Sequence, residues 1–169
     1  MLKIRKIITT LIVGISMFLV MTSTAFAKDI QKEEVLQPGW IKVNSNHYEN
    51  PTTGEYFRIR YNLSRASSDS VSFDFKIRYS FQCPTKFKAP STSATVSAYA
   101  DVEEYNGKTN NSKSYGYRVT VGSKKANFTT GKSADKKISS LKKGKSYTVT
   151  VSTTENTESD YVVGNVTVE

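Results

Sequence analysis

Apolar and polar residues alternate without a break from Val71 to Gln82. The apolar set is Val71, Phe73, Phe75, Ile77, Tyr79 and Phe81, and the polar set is Ser72, Asp74, Lys76, Arg78, Ser80 and Gln82. Successive side chains of a β-strand point to opposite faces, whereas a helix with about 3.6 residues per turn would scatter the apolar set around its circumference. The pattern therefore predicts a β-strand with one buried face, and the fold must supply an apolar layer to cover it.

The same alternation recurs along the chain and predicts an all-β fold. Longer strands are predicted at Tyr56–Leu63, Ala94–Val102, Tyr115–Val121, Ser146–Thr153 and Tyr161–Val168, and shorter ones at Trp40–Val43, Ala126–Thr130 and Lys136–Leu141. Residues 44–54 and 83–93, which contain prolines among polar residues, are predicted to be connections. About eight or nine strands, each with one apolar face, predict two antiparallel sheets packed face to face; a β-barrel is the alternative.

The stretch from Leu141 to Val151 has a more specific pattern. Leu141, Gly144, Tyr147, Val149 and Val151 resemble the corner before the penultimate strand of fibronectin type III and related immunoglobulin-like domains. In those domains the tyrosine hydroxyl is hydrogen-bonded to the backbone a few residues upstream, an arrangement called the tyrosine corner. The resemblance extends from Tyr115 to Glu169, and it implies that the sandwich is immunoglobulin-like.

The N-terminus has the features of a secretory signal peptide. Three basic residues within the first six precede an apolar run, and Ala25-Phe26-Ala27 provides small residues where a signal peptidase cleaves. An uncleaved membrane anchor is the alternative, although polar residues interrupt a run that is short for a bilayer span. The predicted organisation is a signal peptide at residues 1–27, a flexible leader at 28–38 and a single β-sandwich domain at 39–169. No transmembrane segment is expected in the mature chain.

The composition indicates where such a chain works. Cys83 is the only cysteine, so an intramolecular disulfide cannot form, and we expect it to be a small buried apolar residue. Without the three basic residues of the signal peptide, 21 of the 24 basic residues remain against 15 acidic ones, a net charge of about +6. One cysteine, a short basic signal and many Lys, Asn, Ser and Thr residues favour an exported bacterial protein, in particular a Gram-positive one.

The residue types that usually carry catalysis are scarce, so no enzymatic activity, metal or cofactor is predicted. His47 is the only histidine and lies in a predicted turn, which favours a solvated loop residue over a general base. Glu103 and Glu104 could be catalytic carboxylates, but adjacent residues of a strand point apart. The loop from Glu155 to Asp160 could bind calcium through its oxygens, although it lacks the spacing of a dedicated site.

A lysine cluster in the second half of the chain is the main candidate for a binding surface. It consists of Lys124, Lys125, Lys132, Lys136, Lys137, Lys142, Lys143 and Lys145, with Asp135 as the single acid among them. Strand and turn geometry would gather several of these lysines at one end or edge of the sandwich. Such a patch attracts polyanions, including envelope polymers and anionic lipid headgroups. The alternatives are a solvated surface and lysines that protect an edge strand from pairing with other chains.

Specific nucleic-acid binding is not expected, because arginines and aromatic residues are not interleaved with these lysines. The ten tyrosines form a second lead. Tyr48, Tyr56, Tyr99 and Tyr105 fall on predicted outer faces or loops, where tyrosines serve in protein or carbohydrate recognition or form cross-strand pairs. Together these observations predict a secreted, non-enzymatic binding or adhesion module of the bacterial cell envelope. The alternative is a bacteriocin-like or toxin-like antagonist that acts on the envelopes of target cells.

Overall fold

The computed structural model describes residues 36–60 and 69–169, all within the compact unit Leu36–Glu169. The predicted signal peptide, most of the leader and the end of the predicted strand Tyr56–Leu63 lie outside these residues. The described residues are all-β, without a helix, and form thirteen strands. The strands are β1 Ile41–Asn44, β2 His47–Asn50, β3 Glu55–Arg60, β4 Val71–Ile77, β5 Ser80–Gln82, β6 Phe87–Lys88, β7 Ser93–Glu103, β8 Gly116–Val121, β9 Lys124–Thr129, β10 Ala134–Ser139, β11 Ser146–Tyr147, β12 Val149–Thr153 and β13 Tyr161–Val168.

The strands form three antiparallel sheets. The large sheet has seven strands in the order β1-β2-β3-β4-β13-β7-β10, and the small sheet has four in the order β5-β12-β8-β9. The third sheet consists of β6 and β11 alone. Each of these sheets ends in two edge strands, so the described strands do not close into a barrel. The prediction of an all-β fold with antiparallel sheets is confirmed.

The apolar faces of the large and small sheets meet in one core. Phe75 of the large sheet contacts Tyr117 of the small sheet, with ring centroids 6.1 Å apart, and Phe57 contacts Phe81 at 4.4 Å. Cys83 is buried in the same core, as its apolar character predicts. The sandwich follows from the alternation, because each strand has one apolar face and the two sheets remove these faces from water together.

The middle of the large sheet leaves no space for a side chain at Gly164. This residue pairs with Phe75 of β4 on one side and with Ala100 of β7 on the other. A Cβ atom at Gly164 would lie 2.1 Å from the carbonyl oxygen of Tyr99 and 2.6 Å from the Cα of Ala100. Glycine therefore allows β13 to lie close to β7 at this point.

The long alternating stretch from Val71 to Phe81 is not one strand, and this part of the prediction is wrong. The chain bends at Arg78 and Tyr79, so that β4 belongs to the large sheet and β5 to the small one. Thr153 of β12 holds the bend by donating a hydrogen bond of 2.8 Å to the Arg78 carbonyl. Tyr79, predicted to face the core, is 69% exposed. Phe81 belongs to the small sheet and enters the same core from that side. The apolar alternation in the sequence therefore continues beyond the bend.

Four further predictions need correction. Residues 44–54 were predicted as a loop, but they contain β2, whose pairing with β3 places Tyr48 opposite Phe57. Tyr48 was predicted on the outside and is 1% exposed. Residues 83–93 contain the short strand β6. The predicted strand Ser146–Thr153 is divided into β11, which pairs with β6, and β12, which pairs with β5 and β8.

The hydrogen bond expected of a tyrosine corner is present. The backbone N–H of Lys142 donates to the Tyr147 hydroxyl at 2.7 Å. The strand order around this corner differs from that of an immunoglobulin domain, in which the last two strands lie in one sheet. Here β12 belongs to the small sheet, whereas β13 lies between β4 and β7 of the large sheet.

Among the described residues, no helix has the length and apolar character needed to cross a membrane.

Candidate anion-binding surface

Two edge strands carry four of the predicted lysines. β9 is an edge of the small sheet and β10 is an edge of the large sheet. Residues 130–133 join them directly, and the two strands contact each other. The two sheet edges therefore lie along one lateral side of the sandwich. Lys124 and Lys125 of β9 and Lys136 and Lys137 of β10 are brought together on that side.

The lysines of β10 point to different sides of the strand. Lys136 lies on the same face of β10 as the buried Ile138. Its ammonium is 5.7 Å from the ring centroid of Phe128 on β9. Lys136 thus covers the gap between the two sheets while its side chain remains exposed. Lys137 has the opposite parity and extends from the outer face of the large sheet. Charged residues that interrupt the inward face of an edge strand are a known protection against edge-to-edge pairing.

The turn that follows β10 presents three more lysines on a firmly held backbone. Leu141 is buried and donates from its N–H to the Thr92 carbonyl at 3.0 Å. Gly144, with a positive φ of 77°, donates to the Ala89 carbonyl at 2.7 Å. These bonds and the tyrosine corner fix the backbone, whereas the side chains of the three lysines are exposed; they are Lys142, Lys143 and Lys145.

The same turn lies near the beginning of β9. The Tyr147 ring packs on Gly122, where an added Cβ would lie 2.6 Å from the Cδ1 atom of Tyr147. Gly122 also donates to the Thr148 carbonyl at 2.8 Å. Because Lys124 follows Gly122 by two residues, the β9 lysines and the turn lysines lie at the same end of the sandwich. Lys132 belongs to the turn at the far end of β9 and is not part of this group.

Lys86 and Lys88 belong to the same end, although the sequence pattern did not predict them there. Lys88 pairs with Ser146, the residue after Lys145. Both Lys86 and Lys88 are exposed, and Phe87 between them is buried. The alternation of these three residues was the available signal, but one proline on either side, Pro84 and Pro90, favoured a loop. We use the name basic end for Lys86, Lys88, Lys124, Lys125, Lys142, Lys143 and Lys145.

The predicted lysines differ from Lys76 and Lys113 in having no carboxylate partner. Lys76 lies 2.6 Å from Glu103 and Lys113 lies 2.7 Å from Asp160, so both charges are paired. Within residues 36–60 and 69–169, none of the eight predicted lysines has a carboxylate within 4.0 Å. Asp135 is exposed and makes no ion pair with its lysine neighbours in this part of the chain. The positive charge of this surface is therefore not neutralised by a neighbouring carboxylate of the described residues.

In the loop considered for calcium, several side-chain oxygens already accept hydrogen bonds from protein groups. Asp160 accepts hydrogen bonds from the Lys113 ammonium at 2.7 Å and from the Tyr115 hydroxyl at 2.9 Å. The bond from Lys113, followed by that from Tyr115, holds the pKa of Asp160 below its usual value, against the opposing effect of burial. Glu155 accepts from the N–H of Gly116. Among the described residues, no group of three or more His, Cys, Asp or Glu side chains could hold a metal ion.

The other candidate residues are separated from one another. His47 lies on β2 and not in the predicted turn; its Nε2 is 3.0 Å from Oε1 of Glu49, and its ring meets the edge of Tyr56. Glu103 and Glu104 have different partners, as adjacent strand residues should: Glu103 contacts Lys76, and Glu104 accepts from Asn110 at 2.7 Å.

The tyrosines considered for recognition are in unequal environments. Tyr105 is exposed, Tyr56 and Tyr99 are half-buried, and Tyr48 is in the core. The hydroxyl of Tyr99 donates to Oδ1 of Asp101 at 2.7 Å. This bond is the main cause of the raised pKa of Tyr99, with smaller contributions from burial and the Asp101 charge.

Comparisons with known proteins do not assign the chain to a family. No family model matches it, and no curated protein matches it. Among solved structures, it is similar to the cupin domain of Schizosaccharomyces pombe Cnp3, with a TM-score of 0.31 and 10% sequence identity. The alignment covers 68% of this chain and 63% of the cupin-domain chain. This chain therefore spans less than two thirds of the length of the cupin-domain chain. A similarity at this level carries no argument about fold or function.

Proposed function

We propose that this protein is a secreted, non-enzymatic binding or adhesion module that attaches to anionic polymers or lipid headgroups of a bacterial cell envelope. The observation that supports the proposal is the set of unpaired lysines on one side and one end of the sandwich. No neighbouring carboxylate offsets the field of these lysines, so the field can act on an external ligand. Their combined field attracts a polyanion over about one Debye length, roughly 8 Å at physiological salt.

Protection of edge strands explains only part of this surface. It accounts for Lys136, which interrupts the inward face of β10, and it suits the other lysines of β9 and β10. It does not account for Lys142 and Lys143, because they lie in a turn outside any strand. The backbone of that turn is held by several hydrogen bonds, so its lysines are displayed at fixed positions. Lysines on a fixed turn backbone are better explained by binding of a polyanion with repeating charges than by hydration of the protein surface.

The experiment compares two double variants with the same net charge. Lys142→Gln with Lys143→Gln removes two charges from the basic end, and the control Arg58→Gln with Lys108→Gln removes two exposed charges elsewhere. Near an anionic surface each lysine contributes about 1 kcal/mol, so the first pair should weaken binding roughly 30-fold. Sedimentation with vesicles rich in phosphatidylglycerol and retention on immobilised wall teichoic acid measure the effect.

Three outcomes decide between the interpretations. A large loss for the turn variant, a small loss for the control and release by salt support the proposal. Equal losses show that only net charge matters, which removes the role assigned to the basic end. Binding that is insensitive to both salt and the turn variant contradicts the proposal. Growth inhibition of other bacteria by residues 28–169 at low concentration would instead favour the antagonist.

The immunoglobulin-like character of the sandwich is a proposal for the region around Tyr147 alone. The bond from Lys142 to the Tyr147 hydroxyl supports it there. The positions of β12 and β13 in different sheets do not support an immunoglobulin-like strand order.

A further inference from the structure

The far end of β7 borders a cavity that the lysine surface does not include. β7 extends from Ser93 to Glu103, but β10 pairs with it only as far as Ala98. Beyond that residue two other segments contact its free side. Gly131 donates to the Ala100 carbonyl at 2.7 Å, and Asn110 donates to the Val102 carbonyl at 2.8 Å. Between these two attachment points the structure has an open cavity of about 420 Å³.

The lining of this cavity is polar and contains both donors and acceptors. It includes Tyr99, Asp101, Asn111, Ser112, Lys113 and Thr130. Some of these groups are used by the fold: the Thr130 hydroxyl accepts from the N–H of Tyr115 at 2.9 Å. Others are available, since within the described residues no hydrogen bond occupies Oδ2 of Asp101 or the side-chain amide of Asn111. The half-buried Tyr99 adds an aromatic surface beside these polar groups.

The charges of the cavity disfavour anions, and its lining has too few oxygen ligands for a metal ion. The Lys113 ammonium is paired with Asp160 at 2.7 Å, so it does not offer a free positive charge to an anion. Asp101 is the only carboxylate of the lining, and it would repel an anion. A single carboxylate is also too few for a metal site, since hard cations take about six or more oxygen ligands.

We propose that this cavity binds a neutral saccharide of one or two units. Sugar hydroxyls donate and accept hydrogen bonds at once, which matches a free carboxylate oxygen as acceptor and an amide as both donor and acceptor. The apolar face of a sugar ring packs on an aromatic ring such as that of Tyr99, which offers amphipathic contact area at low entropic cost. The volume lies within the range of about 300–1,000 Å³ that is usual for small-ligand sites.

This site is independent of the proposed anion-binding function. The turn lysines follow Ser139, which pairs with Ser93 at the beginning of β7, whereas the cavity lies beside residues 99–102 at the other end. Binding of a neutral sugar should also be insensitive to salt, whereas binding of a polyanion should not. Failure of one proposal therefore does not decide the other.

The test is a titration of the ¹⁵N-labelled protein with the methyl glycosides of glucose, galactose, mannose and N-acetylglucosamine, followed by heteronuclear NMR. At least one glycoside should shift amide signals of residues 99–102, 110–114 and 130–131, equally at low and high salt. Asp101→Asn and Asn111→Ala should each weaken that binding about tenfold. Asp135→Asn is the matched control, because Asp135 is exposed on β10 outside the cavity, and it should leave binding unchanged.

Asn111→Ala keeps the test decisive if Asp101→Asn disturbs the fold, since the Asn111 side chain makes no hydrogen bond to the described residues. The proposal is overturned if none of the four glycosides causes shifts. It is equally overturned if the shifts map elsewhere, or if Asn111→Ala binds as well as the unchanged protein.

Discussion

The hydroxyl of Tyr117 is a buried polar group without a partner, and its removal should stabilise the protein. Tyr117 is 0% exposed, and its ring stacks on Phe128 with centroids 5.4 Å apart. Its hydroxyl has no hydrogen-bond partner within the described residues. Burial, assisted by the nearby charge of Asp101, raises the pKa of Tyr117, so the hydroxyl stays protonated and its donor is unused. A buried polar group left without a partner costs about 1–3 kcal/mol.

Tyr117→Phe removes this cost and keeps the ring contacts with Phe128 and Phe75. A small void replaces the oxygen and reduces the gain, so we expect the free energy of unfolding to rise by about 1–2 kcal/mol. For a domain of this size the midpoint of thermal unfolding should rise by about 3–8 °C. Equilibrium unfolding in urea measures the free energy, and an unchanged m-value shows that the denatured state is not altered.

Tyr115→Phe is the matched control, because it is the same substitution two residues away with the opposite expected sign. The Tyr115 hydroxyl donates to the Asp160 carboxylate at 2.9 Å, and hydrogen bonds to charged groups contribute about 1.5–3 kcal/mol. We expect this variant to lose about 1–2 kcal/mol. If Tyr117→Phe destabilises the protein as much as Tyr115→Phe does, the Tyr117 hydroxyl has a partner such as a buried water, and the reasoning is wrong.

Two further predictions concern the core and the pH dependence of stability. Gly164→Ala should cost more than about 3 kcal/mol in urea unfolding, because the new methyl group would meet the Tyr99 carbonyl in the middle of the large sheet; unchanged stability would show that this strand register is incorrect. The hydrogen bond from Lys113 lowers the pKa of Asp160 in the folded protein. The contribution of Asp160 to stability is therefore fully present above its unfolded pKa of about 3.9, and it is lost as the pH falls through the folded pKa. Asp160→Asn should accordingly flatten the acid limb of a stability–pH curve, and an identical limb in both proteins would contradict the assignment.

The strands that could be predicted from the sequence are those whose period-two pattern reports burial on one side. β4 and β7 are such strands, and the alternating apolar residues predicted for them are buried as expected. The bend at Tyr79 could not be predicted in this way. On both sides of the bend alternate residues still point into the same core, and only Tyr79 at the bend does not, so the apolar pattern in the sequence continues. What separates β4 from β5 is the choice of pairing partner, which local alternation does not contain.

Strand pairing also explains the other differences between the predicted and the observed structure. β2 and β6 are short and rich in polar residues, and they become strands because β3 and β11 lie beside them. The lysine surface was predictable to the extent that its residues are close in sequence, whereas Lys88 joins it through a partner about 60 residues away. The cavity beside β7 was not predictable, because three separate segments line it and none of them has a motif of its own.

The position of β13 determines when the large sheet can form. β13 pairs along its length with both β4 and β7, which have no direct pairing with each other. As the chain is synthesised, β4 and β7 are therefore complete long before the strand that joins them. Until residues 161–168 leave the ribosome, the seven-stranded sheet lacks the interior strand between β4 and β7, and the nascent chain must keep two unpaired strand edges without misassembly. Strand order thus makes completion of this sheet depend on β13, and a ribosome stalled before Tyr161 would carry a chain that cannot complete its core.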